Sequence, residues 1–214
     1  MEQIKVLDDL YQFTTENKII PLTFNQYLLI GDEPLLVHTG SLQQTKELVP
    51  KIKALLDGKD LKYVFISHFE YDECGGLDYL LDHFPNVKTI CSNITLRQLS
   101  GFGFTNEVII KKPNEVLETK SFKLKFIAYP SEAHLWEGLL AIDLDRKIFF
   151  GSDLFIKANN MFEKESSSSW KNEVDNLNEQ NIPSVFELEI LKNNLRNLDV
   201  EYIATGHGPF LKLY

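Results

Sequence analysis

Residues 63–76 read Tyr63-Val64-Phe65-Ile66-Ser67-His68-Phe69-Glu70-Tyr71-Asp72-Glu73-Cys74-Gly75-Gly76. The first four are a short, continuous run of β-branched and aromatic side chains, which suits a buried strand. The run stops at Ser67, after which His68, Glu70 and Asp72 alternate. In a turn that follows a strand, such a triplet can aim three ligands at two nearby ions. The Gly75-Gly76 pair lets the backbone bend sharply before the next helix, which apolar spacing places over 77–84. Strand, ligand-bearing turn and helix in that order predict an α/β fold with its site beyond strand ends.

Three further apolar runs end in a metal-capable residue. FIAYPSEA leads to His134, KIFFGS to Asp153 and EYIAT to His207. Residues at the same end of neighbouring strands converge in space, as in open α/β sheets, so the four runs predict one site. Each residue alone also has a structural reading. A lone His after a strand is often a hydrogen-bonded structural residue, and the acids of His68-x-Glu70-x-Asp72 could cap the helix that follows. His38 and His83 stay in that structural class, His83 as a cation at a helix C-terminus. The joint pattern is what favours a metal site.

Outward from these runs, strands and helices are interspersed. IKVLDDLYQF, NQYLLI and PLLVHT read as strands, the last two joined by a hairpin turn over 31–34. Ser41 predicts the N-cap of a helix over 42–56 that stops at Gly58. VKTIC and NEVII read as strands around a short helix near 95–99. FKLKFIAY alternates, and EGLLAIDL and KIFFGSDLF flank a hairpin at Asp145-Arg146. Residues 164–180, KESSSSWKNEVDNLNEQ, are the most polar stretch and read as a mobile surface loop leading into a helix. Residues 183–198 are helical by pattern, and VEYIATGH is the last strand. No solenoid repeat and no Gly/Pro-rich linker divides the chain, so residues 1–214 are expected to form one domain.

Composition narrows the function. The chain of 214 residues is 43% hydrophobic and 25% charged, which is ordinary for a globular protein. Its net charge of −9 provides no global field for nucleic acid. No run is long and apolar enough to span a bilayer, and MEQIKVLDDL lacks the basic start and apolar stretch of a signal peptide. Cys74 and Cys91 make no disulfide framework, which fits a reducing cytosol. No nucleic acid and no membrane is expected as a partner, and a cytoplasmic location is.

The ordered set His68-x-Glu70-x-Asp72, His134, Asp153 in FFGSDLF and His207 in ATGHGP resembles the metallo-β-lactamase superfamily. NQYLLIGDEPLLVHTG is similar to that superfamily's opening hairpin, which usually ends in Asp-Thr-Gly; here His38 replaces the Asp. The resemblance implies a four-layer αββα sandwich. Hydrolases of the superfamily usually carry a second His where this chain has Glu70, and a trailing His where it has Glu73. Glu at the first position is similar to flavodiiron proteins and to the stand-alone oxygen-binding diiron proteins related to them. By that resemblance His68, Glu70 and His134 would hold one iron, Asp72 and His207 the other, and Asp153 would bridge. Glu73 either ligates the second iron or turns away and leaves a position open.

Ligand chemistry points the same way. Three carboxylates cancel more of the charge of two ferrous ions than a His-rich set does, and oxygen-rich ligation favours harder ions, although Zn and Mn also accept such donors. The expected function is therefore a non-heme diiron protein that binds O2, as a sensor or carrier. If it is an enzyme, it reduces O2 or NO with electrons from a separate flavodoxin- or rubredoxin-type donor. No flavodoxin-like segment follows His207, so no FMN is expected in cis. The alternatives are a zinc hydrolase of esters, thioesters or lactones, and a metal-free interaction domain. A signalling partner and a homodimer are both compatible with the reading. Tyr71 and Trp136 lie close to ligands but read first as packing residues, Cys74 reads as a small buried hydrophobe, and Ser131 and Glu132 are candidates to orient His134.

Overall fold

In the computed structural model, which describes residues 1–17, 19, 21–130, 138–157 and 161–214, two seven-stranded sheets face each other. The first sheet runs β1 (Glu2–Leu7), β2 (Leu10–Asn17), β3 (Leu22–Leu29), β4 (Leu35–Val37), β5 (Tyr63–Phe65), β6 (Lys88–Cys91), β7 (Val108–Ile110), in chain order. Its first four strands pair antiparallel and its last four parallel. Parallel neighbours need crossovers. These are α1 (Leu42–Leu56), then α2 (Tyr71–Cys74) with α3 (Leu77–His83), then α4 (Asn93–Gly101). The second sheet is built from β8 (Val116–Glu118), β9 (Lys123–Tyr129), β10 (Gly138–Asp143), β11 (Ile148–Ser152), β12 (Glu165–Ser168), β13 (Tyr202–Thr205) and β14 (Phe210–Leu213). Its spatial order is β12-β14-β13-β11-β10-β9-β8, with α5 (Trp170–Asn176) and α6 (Val185–Arg196) between β12 and β13.

Alternation in the strands explains the layering. Val64 points to the outer core with Leu48 and Ile52 of α1, while Phe65 points between the sheets to meet Tyr27, Phe126 and Phe150. In β11, Ile148 and Phe150 face the first sheet, and Phe149 faces Leu188 and Leu191 of α6. Strands covered on both faces read as unbroken apolar runs, which is why YVFI and KIFF carry no polar alternation. Burying each such aromatic ring contributes about 1.5–3 kcal/mol. The result is the αββα sandwich that the resemblance implied. At one end Arg146 pins the sheets together, reaching Asp9 at 2.7 Å and the buried Asp143 at 2.8 Å.

The helix over 42–56 forms as expected. Ser41 and Gln44 make a reciprocal capping box, and the chain leaves through Asp57 at φ 46°.

Several expectations need correction. IKVLDDLYQF is two strands, because the chain reverses between Leu7 and Leu10 and pairs β1 with β2. Residues 164–180 are structured. The serine tract contributes β12, which pairs parallel to β14 through its backbone. Ser169 then caps α5, whose Trp170 packs 5.1 Å from Phe149 and donates to the Leu195 carbonyl. Backbone pairing needs no apolar side chain, so composition gave no sign of this edge strand. A further strand, β14, follows His207; Phe210 and Leu211 are buried there. Gly75 and Gly76 both keep negative φ. Close approach, not a sharp bend, demands glycine at 76, because a Cβ there would lie 1.7 Å from Thr45 Oγ1.

That approach docks the turn after β5 onto the start of α1. Gly76 N donates to the Gly40 carbonyl and Thr39 N to the Glu73 carbonyl, at 2.9 and 2.8 Å. Gly76→Ala should therefore destabilise the fold by about 1–3 kcal/mol through overpacking, measured by urea unfolding. A change under about 0.5 kcal/mol would contradict this account of the contact.

Candidate metal centre

Strand ends from both sheets, rather than from one open sheet, bring the candidate residues together. His68 follows β5 in the first sheet; Asp153 follows β11 and His207 follows β13 in the second. Glu70 occupies the N-cap position of α2 but makes no side-chain cap bond, and Asp72 and Glu73 lie in its first turn. Capping therefore does not account for Glu70. His134 lies outside the described residues, as do Ser131, Glu132 and Trp136.

The distances describe a shared cluster. His68 Nε2 lies 3.2 Å from Glu70 Oε2, 3.6 Å from Asp153 Oδ2 and 3.9 Å from Glu73 Oε2. His207 Nε2 lies 3.0 Å from Asp153 Oδ1 and 3.5 Å from Asp72 Oδ2. Asp153 thus offers one oxygen to each imidazole. Two triads, His68/Glu70/Glu73 and Asp72/Glu73/His207, have donor atoms within 4.8 Å of one another and could each hold an ion. Glu73 belongs to both, so it turns toward the cluster.

Local backbone geometry makes this possible. Ser152 adopts φ 46°, uncommon for a residue with a side chain, immediately before Asp153. Its carbonyl accepts from Gly206 N at 2.8 Å. A Cβ on Gly206 would lie 2.8 Å from that carbonyl oxygen and 3.3 Å from Asp153 Oδ1. Only glycine lets the ends of β11 and β13 close in this way.

Orientation of the two imidazoles is set behind the site. His207 Nδ1 donates to the Thr23 carbonyl at 2.6 Å, and Phe24 packs edge-on at 5.2 Å. That bond leaves Nε2 to face the carboxylates. His68 Nδ1 meets Ser67 Oγ at 3.0 Å, and Tyr129 stands edge-on at 5.8 Å. Thr23, Ser67 and Ser152 were not anticipated. Ser67 adjoins His68 in the chain and could have been suspected; Thr23 acts through its backbone from 184 residues away, which leaves no sequence signal. His38 is buried and bonded to Ser67. His83 lies in the last turn of α3, and Cys74 is buried, its thiol pushed up to about 12 by burial. Tyr71 is 58% exposed and edges Phe24.

The electrostatics are those of crowded carboxylates. Burial, then the Asp153 and Asp72 charges, hold the Glu73 carboxyl well above its ordinary range. Burial and Asp153 raise Asp72. Burial alone would lower His207, but its hydrogen bond and charge interaction with Asp153 raise it. Asp72 Oδ1 and Glu73 Oε2 are buried with no hydrogen-bond partner among the described residues. Buried, unpaired carboxylate oxygens are costly. Glu73 Oε2 lies 3.9 Å from His68 Nε2, and Asp72 faces His207 Nε2 through its other oxygen, Oδ2, at 3.5 Å; such a mix of oxygen and nitrogen donors fits divalent cations.

A protein-family model described as ODP family beta lactamase matches residues 22–208. The chain belongs to this family. Among curated relatives, flavo-diiron protein FprA2 of Clostridium acetobutylicum is 27% identical over 99% of this chain and 58% of its own length. Diflavin flavoprotein A 1 of a Synechocystis species is 23% identical over 89% of this chain and 34% of its own. Among solved structures, a flavoprotein of Thermotoga maritima superposes with TM-score 0.82 at 20% identity, covering 99% of this chain and 57% of that one. The rubredoxin oxygen:oxidoreductase of Desulfovibrio gigas gives 0.81 at 19%, with coverage of 99% and 57%. The structures support the fold of this ODP family member. The chain spans about half the length, 50% and 58%, of the first curated relatives it matches. No helix among the described residues is long and apolar enough to cross a membrane.

The raised Glu73 carboxyl predicts a pH-dependent stability difference in metal-free protein. The folded state holds the Glu73 proton more tightly than the unfolded chain. Wild type therefore loses stability from this group as pH rises from the ordinary value of 4.5 toward neutrality. Glu73→Gln removes that loss, so its stability advantage over wild type should grow across this range. A difference that stays constant with pH in denaturant titrations contradicts the assignment.

Proposed function

We propose that this chain is a non-heme diiron protein that binds dioxygen, and that it reduces dioxygen or nitric oxide only when an electron donor outside these residues supplies it. The observation that carries this reading is Asp153, whose two oxygens face His68 and His207 separately. In this reading His68, Glu70 and His134 would hold one iron, Asp72 and His207 would hold the other, and Asp153 would serve both. Glu73, within reach of both triads, completes the set. When bound, two ferrous ions would supply the electrons and the open coordination positions that dioxygen needs.

The protein's own groups have defined tasks. The carboxylates of Glu70, Asp72, Glu73 and Asp153 would balance the charge of two divalent ions and favour harder metals over zinc, with Zn and Mn as substitutes. Thr23 and Ser67 hold the imidazoles with Nε2 inward. Phe24 and Tyr129 pack edge-on against the two imidazoles and help to hold them. Relatives named as a flavo-diiron protein and a rubredoxin oxygen:oxidoreductase support the reading in kind. By the same analogy, the donor is of flavin or rubredoxin type.

Asp153→Ala should lose at least one of the two ions per chain, because it removes the shared ligand and leaves the remaining donors without a bridge. Retention of two ions by that variant would remove Asp153 from the site. For function, the chemically reduced, iron-loaded protein should take up dioxygen in an amount set by its irons and then stop, and NADH alone should not restart it. Hydrolysis of esters, thioesters or lactones by zinc-loaded protein, with the iron-loaded form inert to dioxygen, would overturn the proposal.

A further inference from the structure

A buried group of side chains lies behind His68, on the Nδ1 side of its ring. Ser67 Oγ has three polar neighbours: His38 Nε2 at 2.9 Å, His68 Nδ1 at 3.0 Å and Ser152 Oγ at 3.0 Å. All four residues are buried, none more than 4% exposed. His68 directs Nε2 at Glu70, Asp153 and Glu73. A nitrogen that ligates a metal carries no proton, so with Nε2 on a metal the ring proton would reside on Nδ1 and be donated to Ser67 Oγ, the nearer of two hydroxyls, with Ser152 Oγ at 3.5 Å.

We propose that His38 is a positioning residue for His68, acting through the Ser67 hydroxyl; this rests on the diiron reading above. The hydroxyl has one proton and two lone pairs. One lone pair accepts from His68 Nδ1–H. The proton and the second lone pair must then be divided between His38 and Ser152. If Ser67 donates to His38 Nε2, Ser152 donates to Ser67. If His38 Nε2–H donates to Ser67, Ser67 donates to Ser152. In both circuits every valence of the hydroxyl is used, and its free rotation is lost. Without His38 the hydroxyl has a spare valence and can turn, and the His68 ring is held less firmly. The burial of His38, which lowers its pKa to about 3, keeps its imidazole neutral in either circuit.

The backbone shows that position 38 is occupied at a cost. His38 has φ 63°, in the left-handed region. Asn is among the side-chain-bearing residues best accommodated there, yet its amide ends short of Ser67. His reaches Ser67 with Nε2. Gln also reaches that far, with an amide that can donate or accept. The pair His38→Asn and His38→Gln therefore separates a backbone role from a hydrogen-bonding role.

The test measures Co(II) binding by chelator competition for wild type, His38→Gln, His38→Asn and His38→Leu. In the same Co(II)-loaded proteins, NMR on nitrogen-labelled histidine follows solvent exchange of the shifted His68 Nδ1–H resonance. The expected result is affinity within about threefold of wild type for His38→Gln and a loss of about tenfold for His38→Asn and His38→Leu. Exchange of the Nδ1–H proton should be faster in the two weakened variants only. If His38→Leu does not fold, the other pair still decides. Wild-type affinity in His38→Asn, or equal loss in all variants, would overturn the positioning role while leaving the diiron reading standing. Failure of wild type to take up two Co(II) ions would instead overturn that reading itself.

Discussion

The carboxylate of Asp153, held between an imidazole from each sheet, is the contact on which the rest of the site depends. His68 arrives from the first sheet and His207 from the second, at 3.6 and 3.0 Å from its two oxygens. The inter-sheet core of Phe65, Phe126, Phe150 and Tyr27 fixes how closely the sheets stack. That spacing in turn fixes whether one carboxylate can serve both rings. The left-handed Ser152 and the close approach at Gly206 are local costs accepted for the same geometry.

The site is also an electrostatic load on the fold. Four carboxylates gather where burial and mutual repulsion raise at least Asp72 and Glu73. A fold built for stability alone would not bury Glu73, 2% exposed, beside two other acids. A cation would convert that load into favourable ligation, which would couple metal binding to folding. The hydrogen bonds from Thr39 and Gly76 that secure the turn after β5 have a clear purpose in this light. They hold Asp72 and Glu73 in place against their own repulsion.

Much of this was legible in the sequence because apolar runs and chemistry coincide. YVFIS, KIFFGS and the IAT of EYIAT are largely buried, and each run is followed by a metal-capable residue, so strand and candidate residue could be read together. Alternation showed β9, and Ser41 showed the start of α1. What stayed hidden has physical reasons. The serine strand β12 pairs through backbone alone. The split between β1 and β2 falls at Asp8-Asp9, inside a run whose apolar flanks mask the turn. Distribution of the candidate residues over two sheets cannot be read from strand ends, because spacing along the chain does not reveal which sheet a strand joins. Thr23 reaches the His207 ring through its carbonyl, and its hydroxyl accepts from Gly208 N, contacts set by tertiary packing. Glu73 was left open because a single residue in a four-residue helix can face either way; its place in both triads is a matter of tertiary packing.

The most direct test of the central claim is anomalous diffraction at the iron edge from crystals of protein purified and loaded anaerobically with Fe(II). The account predicts two iron peaks, one against His68, Glu70 and His134 and the other against Asp72 and His207, with Asp153 between them and Glu73 within reach of both. No iron peak among these side chains, or a single peak that leaves Asp72 and His207 without a metal, would contradict it.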